Sequence, residues 1–150
     1  KMMRVIDIMA PVISWHQRGL LPVGDILATD PRSKLVQGDF FKLATTDDIG
    51  FDQNQPQEKV HAVLLDIDHS PSHWLNDANQ SFYTEASLSR LAAKICSGGI
   101  FALWSNELPD EVFSDLLSRV FVNCEAHIVN FPNPYTGEES SNSVYVATVK

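Results

Sequence analysis

Two cysteines in 150 residues, Cys96 and Cys124, are too few for a disulfide framework and lack metal-ligand spacing. Buried structural thiols are the expectation for both. Basic residues are also scarce, with 11 Lys and Arg against 19 Asp and Glu, a formal net charge of −8. That balance repels polyanions and argues against nucleic acid, whereas a neutral or cationic small molecule is easier to accept. No apolar run is long enough to cross a bilayer, so no membrane partner is expected. No signal-peptide pattern opens the chain, which fits a cytoplasmic protein, and a start at Lys1 fits a piece of a longer polypeptide. There are seven glycines and no Gly-x-Gly. Repeats and low-complexity tracts are absent.

What is present fits one α/β domain over residues 1–150. Val5 to Ile8 reads as a short buried strand. Ala10 to Arg18 reads as a helix, with Pro11 in its first turn and Gly19 at its end. A turn-rich stretch with Asp30-Pro31-Arg32 leads to a strand at Lys34 to Gln37. Thr45 to Glu58 has the composition of a surface loop. Val60 to Ile67 is apolar without alternation, the pattern of a strand covered on both faces. The spacing of Leu88, Leu91, Ala92 and Ile95 predicts a helix from Thr84 to Ser97, stopped by Gly98-Gly99. Ile100 to Trp104 follows as a strand and Asp110 to Phe121 as an amphipathic helix. Two last strands, Ala126 to Phe131 and Ser143 to Val149, flank a polar turn. Alternating strands and helices imply a mostly parallel sheet, and the final strand pair implies an antiparallel finish.

In such sheets ligands bind beyond the carboxyl ends of the strands. Asp7, Asp39 and Asp66 each stand at such an end. Aspartate also caps turns and helices, and for any one of the three that is the better reading. Three in succession bring the functional reading level with it.

"VLLDIDHS" has the Asp-x-Asp of haloacid dehalogenase-type phosphatases, but Lys94 is followed by no lysine until Lys150 and no late acidic pair follows a strand. A metal-binding Asp-x-Asp of nucleotide-sugar transferases has no other support in the chain. Asp68, His69 and His73 could be ligands, but Pro71 breaks the helix that would align the two histidines, and no metal is expected.

The whole chain, by contrast, resembles the spermidine synthase-like branch of the S-adenosylmethionine-dependent methyltransferase fold. "VIDIMAPVISWHQRGLLP" is similar to the second strand and helix of that family, "DPRSKLVQGDFF" to its third strand and "AVLLDIDHSP" to its fourth. "FYTEASLSRLAAKICSGGIFALWS" is similar to the next helix and fifth strand, and "FPNPYTGEESSNSVYVA" to the closing pair. The resemblance implies a Rossmann-like fold and a cofactor, S-adenosylmethionine or its decarboxylated form. It implies that Asp7 accepts from the ribose hydroxyls, Ile8 lies on the adenine, Asp39 accepts from the adenine amino group and Phe40 closes that pocket. Asp66 would hold and help deprotonate an attacking amine, with methyl or aminopropyl transfer as the reaction. Spermidine synthases read Asp-Ser-Ser-Asp-Pro where this chain reads Asp-Ile-Asp-His-Ser-Pro, so a second substrate-binding group falls to Asp68 or His69. Trp74 and Tyr83 are weaker candidates for the substrate side. The acceptor implied is a small molecule, with a polyamine as one candidate.

Against the family, the first strand, its helix and the Gly-x-Gly loop have no counterpart. The first βα unit is therefore expected to be missing and the sheet to have a gap in its middle. The gap would close by pairing of its flanking strands, take a strand from a neighbour, as in a homodimer, or depend on an upstream segment. A relative without catalysis that uses the sheet for self-association is the alternative function.

Overall fold

The computed structural model describes residues 1–150. The chain folds into β1 (Met3–Asp7), α1 (Ala10–Gln17), α2 (Gly24–Thr29), β2 (Ser33–Gln37), α3 (Phe40–Thr45), β3 (Val60–Leu65), α4 (Glu85–Ala93), β4 (Ile95–Ser105), α5 (Glu111–Val120), β5 (Val122–Pro132) and β6 (Glu139–Thr148). A 3-10 turn, Asp77–Phe82, precedes α4. Local chemistry explains most of the boundaries. Pro11 sits in the first turn of α1, and Gly19 beyond its end takes a φ of +65°. Asp110 caps α5 by accepting from the amides of Val112 and Phe113, and Thr84 caps α4 by accepting from Ser87.

The strands form two sheets. β1 and β2 pair in parallel, from Met3 opposite Ser33 to Asp7 opposite Gln37. The larger sheet has the order β3-β4-β6-β5, with β3 parallel to β4 and β6 antiparallel to both its neighbours. β1 and β3 do not pair with each other, so each keeps an unpaired edge. Of the three fates expected for the gap, closure by direct pairing is therefore excluded in this chain. The two sheets are joined through side chains. Ile6 and Phe41 pack against the common core, and Arg4 reaches Asp52 at 2.5 Å and Glu58 at 2.8 Å. These carboxylates raise the already high pKa of the Arg4 guanidinium.

One continuous core lies between the larger sheet and the helices. Val63, Leu65, Phe101, Leu103, Tyr145 and Ala147 supply it from the strands, and Phe40, Leu88, Leu91, Phe113 and Leu117 from the helices. Burial on both faces, as the unbroken run in β3 predicts, is corrected. Val63 and Leu65 are buried, whereas Leu64 is 79% exposed because that side of the strand has no packing partner. The predicted helix through Ser97 is likewise too long. Lys94 ends α4, because its ammonium donates to the carbonyls of Leu43, Thr46 and Ile49 and its carbonyl accepts from Val60. Residues 96–99 then form a bulge in β4 opposite His61. Glycine is required at position 99, where a Cβ would lie 2.7 Å from the His61 carbonyl oxygen. Cys96 and Cys124 are half-buried rather than buried.

Candidate functional site

Two groups of polar side chains stand at carboxyl ends of parallel strands, one for each sheet. The first closes β1 and β2. Asp7 accepts the Met9 amide at 2.7 Å through Oδ1, and Asp39 accepts the Lys42 amide at 3.2 Å, capping α3. Each carboxylate so serves the local turn while its second oxygen has no protein donor. The Gly38 amide donates to the Asp7 carbonyl, which fixes the turn carrying Asp39 beside the end of β1. Ile8 is 63% exposed and offers an apolar surface at this end. Phe40 does not face such a pocket. Its ring is buried, stacked on Phe51 and edge-on to Phe82, so the expected pocket-closing role is corrected to a core one.

The second group closes β3 and β4. Asp66 is exposed and makes no side-chain hydrogen bond. The two-residue repeat of a strand puts it on the side of Leu64. Asp68 is only 4% exposed and is fully engaged. Its Oδ1 accepts from the Leu75 amide at 2.9 Å and Asn79 at 2.8 Å, and its Oδ2 from the Tyr83 hydroxyl at 2.8 Å. A buried carboxylate with three internal donors organises the segment after β3 and is closed to an amine, which corrects the substrate-binding role expected of it. Burial, together with the bond to Asp68, raises the pKa of the Tyr83 hydroxyl far above its ordinary value.

His69 is exposed, and its carbonyl accepts from the Asn106 amide at 2.7 Å while its Nδ1 lies 3.3 Å from the Asn106 side chain. Beside it, a bridge between Ser70 and His73 makes a tight turn, in keeping with the helix-breaking Pro71. His73 Nδ1 lies 2.6 Å from Glu107 Oε1. The Ser70 hydroxyl first, then His73 and Ser72, hold the Glu107 carboxyl below its usual range. His69, Ser72, His73, Trp74 and Asp77 line a cleft of about 490 Å³. Glu107 escaped the sequence reading, although the rule that selected Asp7, Asp39 and Asp66 applies to it: it is an acid two residues past the end of β4. No group of three or more His, Cys, Asp or Glu side chains is placed to hold a metal ion.

No family model matches the chain, and no curated protein matches it in sequence. Solved structures do match in fold. A probable spermidine synthase from Corynebacterium glutamicum overlays 98% of this chain at 14% identity and a TM-score of 0.61. The spermidine synthase from Thermotoga maritima overlays 98% at 16% identity with the same score. An S-adenosylmethionine-dependent O-methyltransferase from Thermotoga maritima overlays 99% at 14% identity and a score of 0.57. The chain spans 47%, 44% and 50% of these proteins respectively, so at most half the length of each. With its parallel strand pairs, its antiparallel closing strand and this chain-long overlay, the protein has the Rossmann-like methyltransferase fold that spermidine synthases share.

Proposed function

We propose that this protein serves a transferase that binds S-adenosylmethionine or its decarboxylated form and moves a methyl or aminopropyl group to a small amine. The observation that carries the reading is the pair Asp7 and Asp39, on the ends of adjacent parallel strands and each with an oxygen free of protein donors. Two such oxygens suit a nucleoside, whose ribose hydroxyls and adenine amino group are donors. Ile8 would give the base an apolar surface. The bound cofactor would supply a carbon made electrophilic by a neighbouring sulfonium. This chain's residues would bind, orient and exclude water. Asp66 and His69 would serve the acceptor, and the net charge of −8 favours a cationic one. Isothermal titration with S-adenosylmethionine, its decarboxylated form and methylthioadenosine tests the reading. Binding that Asp7→Asn weakens by tenfold or more supports it, and absence of heat with all three ligands defeats it.

The open edges of β1 and β3 favour a second reading, self-association without catalysis. A homodimer is expected under it, and a monomer by light scattering at high concentration removes it.

A further inference from the structure

We infer that His73, oriented by Glu107, is the proton acceptor of the cleft and receives a proton from a bound primary amine. The inference rests on the transferase reading for its purpose but on separate residues for its geometry. Asp66, the base implied by family resemblance, has no hydrogen bond to orient it. The imidazole of His73 is exposed and engaged at one end, with Nδ1 at 2.6 Å from Glu107 Oε1, and none of its hydrogen bonds uses Nε2. A carboxylate on Nδ1 selects the tautomer with the proton there and leaves a lone pair on Nε2. His73 lines the 490 Å³ cleft.

The support behind the pair is independent of the two side chains. The Glu107 amide donates to Ser105 Oγ at 3.1 Å, and its carbonyl accepts from the Ser143 hydroxyl. The His73 amide donates to Ser70 Oγ at 3.0 Å, and Ser70 is buried. Both residues are thus held through their main chains. The rest of the cleft suits a small cation. Trp74 spends its indole N–H on the Pro71 carbonyl at 2.9 Å, which leaves the ring as an apolar wall, and Asp77 adds a carboxylate.

In the proposed step an N–H bond of the ammonium breaks, its proton moves to Nε2 of His73, and its electron pair stays on nitrogen as the attacking lone pair. The imidazolium so formed is balanced by Glu107 at Nδ1. Glu107 is a positioning residue and His73 the group that meets the substrate.

The test is the tautomer of His73, read by long-range ¹H–¹⁵N correlation on the full chain in alkaline buffer. The Nδ1–H form is expected in the wild type, and the Nε2–H form in Glu107→Ala, whose main-chain bonds are unchanged. Addition of n-propylamine is expected to shift Nε2 of His73, whereas tetramethylammonium, a cation without an N–H, leaves it in place. A wild-type His73 in the Nε2–H form, a tautomer indifferent to Glu107→Ala, or equal responses to the two cations would overturn the inference. Nucleoside binding together with any of these results sinks the dyad alone. A correct tautomer without nucleoside binding sinks the transferase reading alone.

Discussion

The two sides of β3, β4 and β6 are built from similar residues and have different fates. Val63, Leu65, Phe101, Leu103, Tyr145 and Ala147 are buried beneath α3, α4 and α5. Their alternates Leu64, Ala102, Trp104, Val144 and Val146 are apolar too, yet none of them is buried. Apolar composition on both sides is what a doubly covered sheet needs, and only one side has its cover in this chain. A hydrophobic strand pattern therefore reports which surfaces are fit for burial. Which of them are buried depends on the presence of a partner element.

The contrast can be broken most severely on the covered side. Phe101 stacks on Phe121 and meets Phe82 edge-on, so Phe101→Ala is expected to lower stability by about 3–5 kcal/mol in urea denaturation. A loss below 1 kcal/mol would mean that this face is not the core. Asp68→Ala comes next. It orphans the Tyr83 hydroxyl, the Asn79 amide and the Leu75 amide, with an expected cost of about 2–3 kcal/mol by the same measurement. Gly99→Ala forces a Cβ against the Ile95 side chain and the carbonyls of His61 and Cys96, for about 1–3 kcal/mol. On the uncovered side, Leu64→Thr is expected to change stability by less than about 0.5 kcal/mol. A large loss there would reveal a cover over this face in solution.

The buried Tyr83 adds a pH signature to the covered side. Its folded-state pKa is raised, by burial first and by Asp68 second, so the folded chain holds the phenolic proton more tightly than the unfolded one. The resulting stability is complete below about pH 10, the unfolded value, and declines as pH rises above it. Tyr83→Phe is expected to flatten that alkaline decline in thermal melts recorded between pH 9 and 11.

The order of the long elements was legible because their signals are local. Pro11 and Gly19 bracket α1, Asp110 opens α5, and the apolar spacing of Leu88 and Leu91 marks α4. The antiparallel placing of β6 followed from the missing helix before it. The short helices α2 and α3 carry too few turns for periodicity to register, and α3 is stabilised by Phe40 entering a distant aromatic cluster. The end of α4 depends on Lys94 reaching carbonyls some 45 to 51 residues away, which no local pattern contains. The site divides in the same way. Asp7 and Asp39 were visible as acids at strand ends. The pairing of His73 with Glu107 joins two loops 34 residues apart, and the engagement of Asp68 depends on Tyr83, 15 residues on.

We propose that the ends of β1 and β2 form a nucleoside site. Amide chemical-shift mapping with S-adenosylhomocysteine tests it most directly. Shifts concentrated at Asp7 to Met9 and Gly38 to Phe41 are the result expected, and shifts confined to the β5–β6 hairpin, or none at saturating ligand, would contradict it.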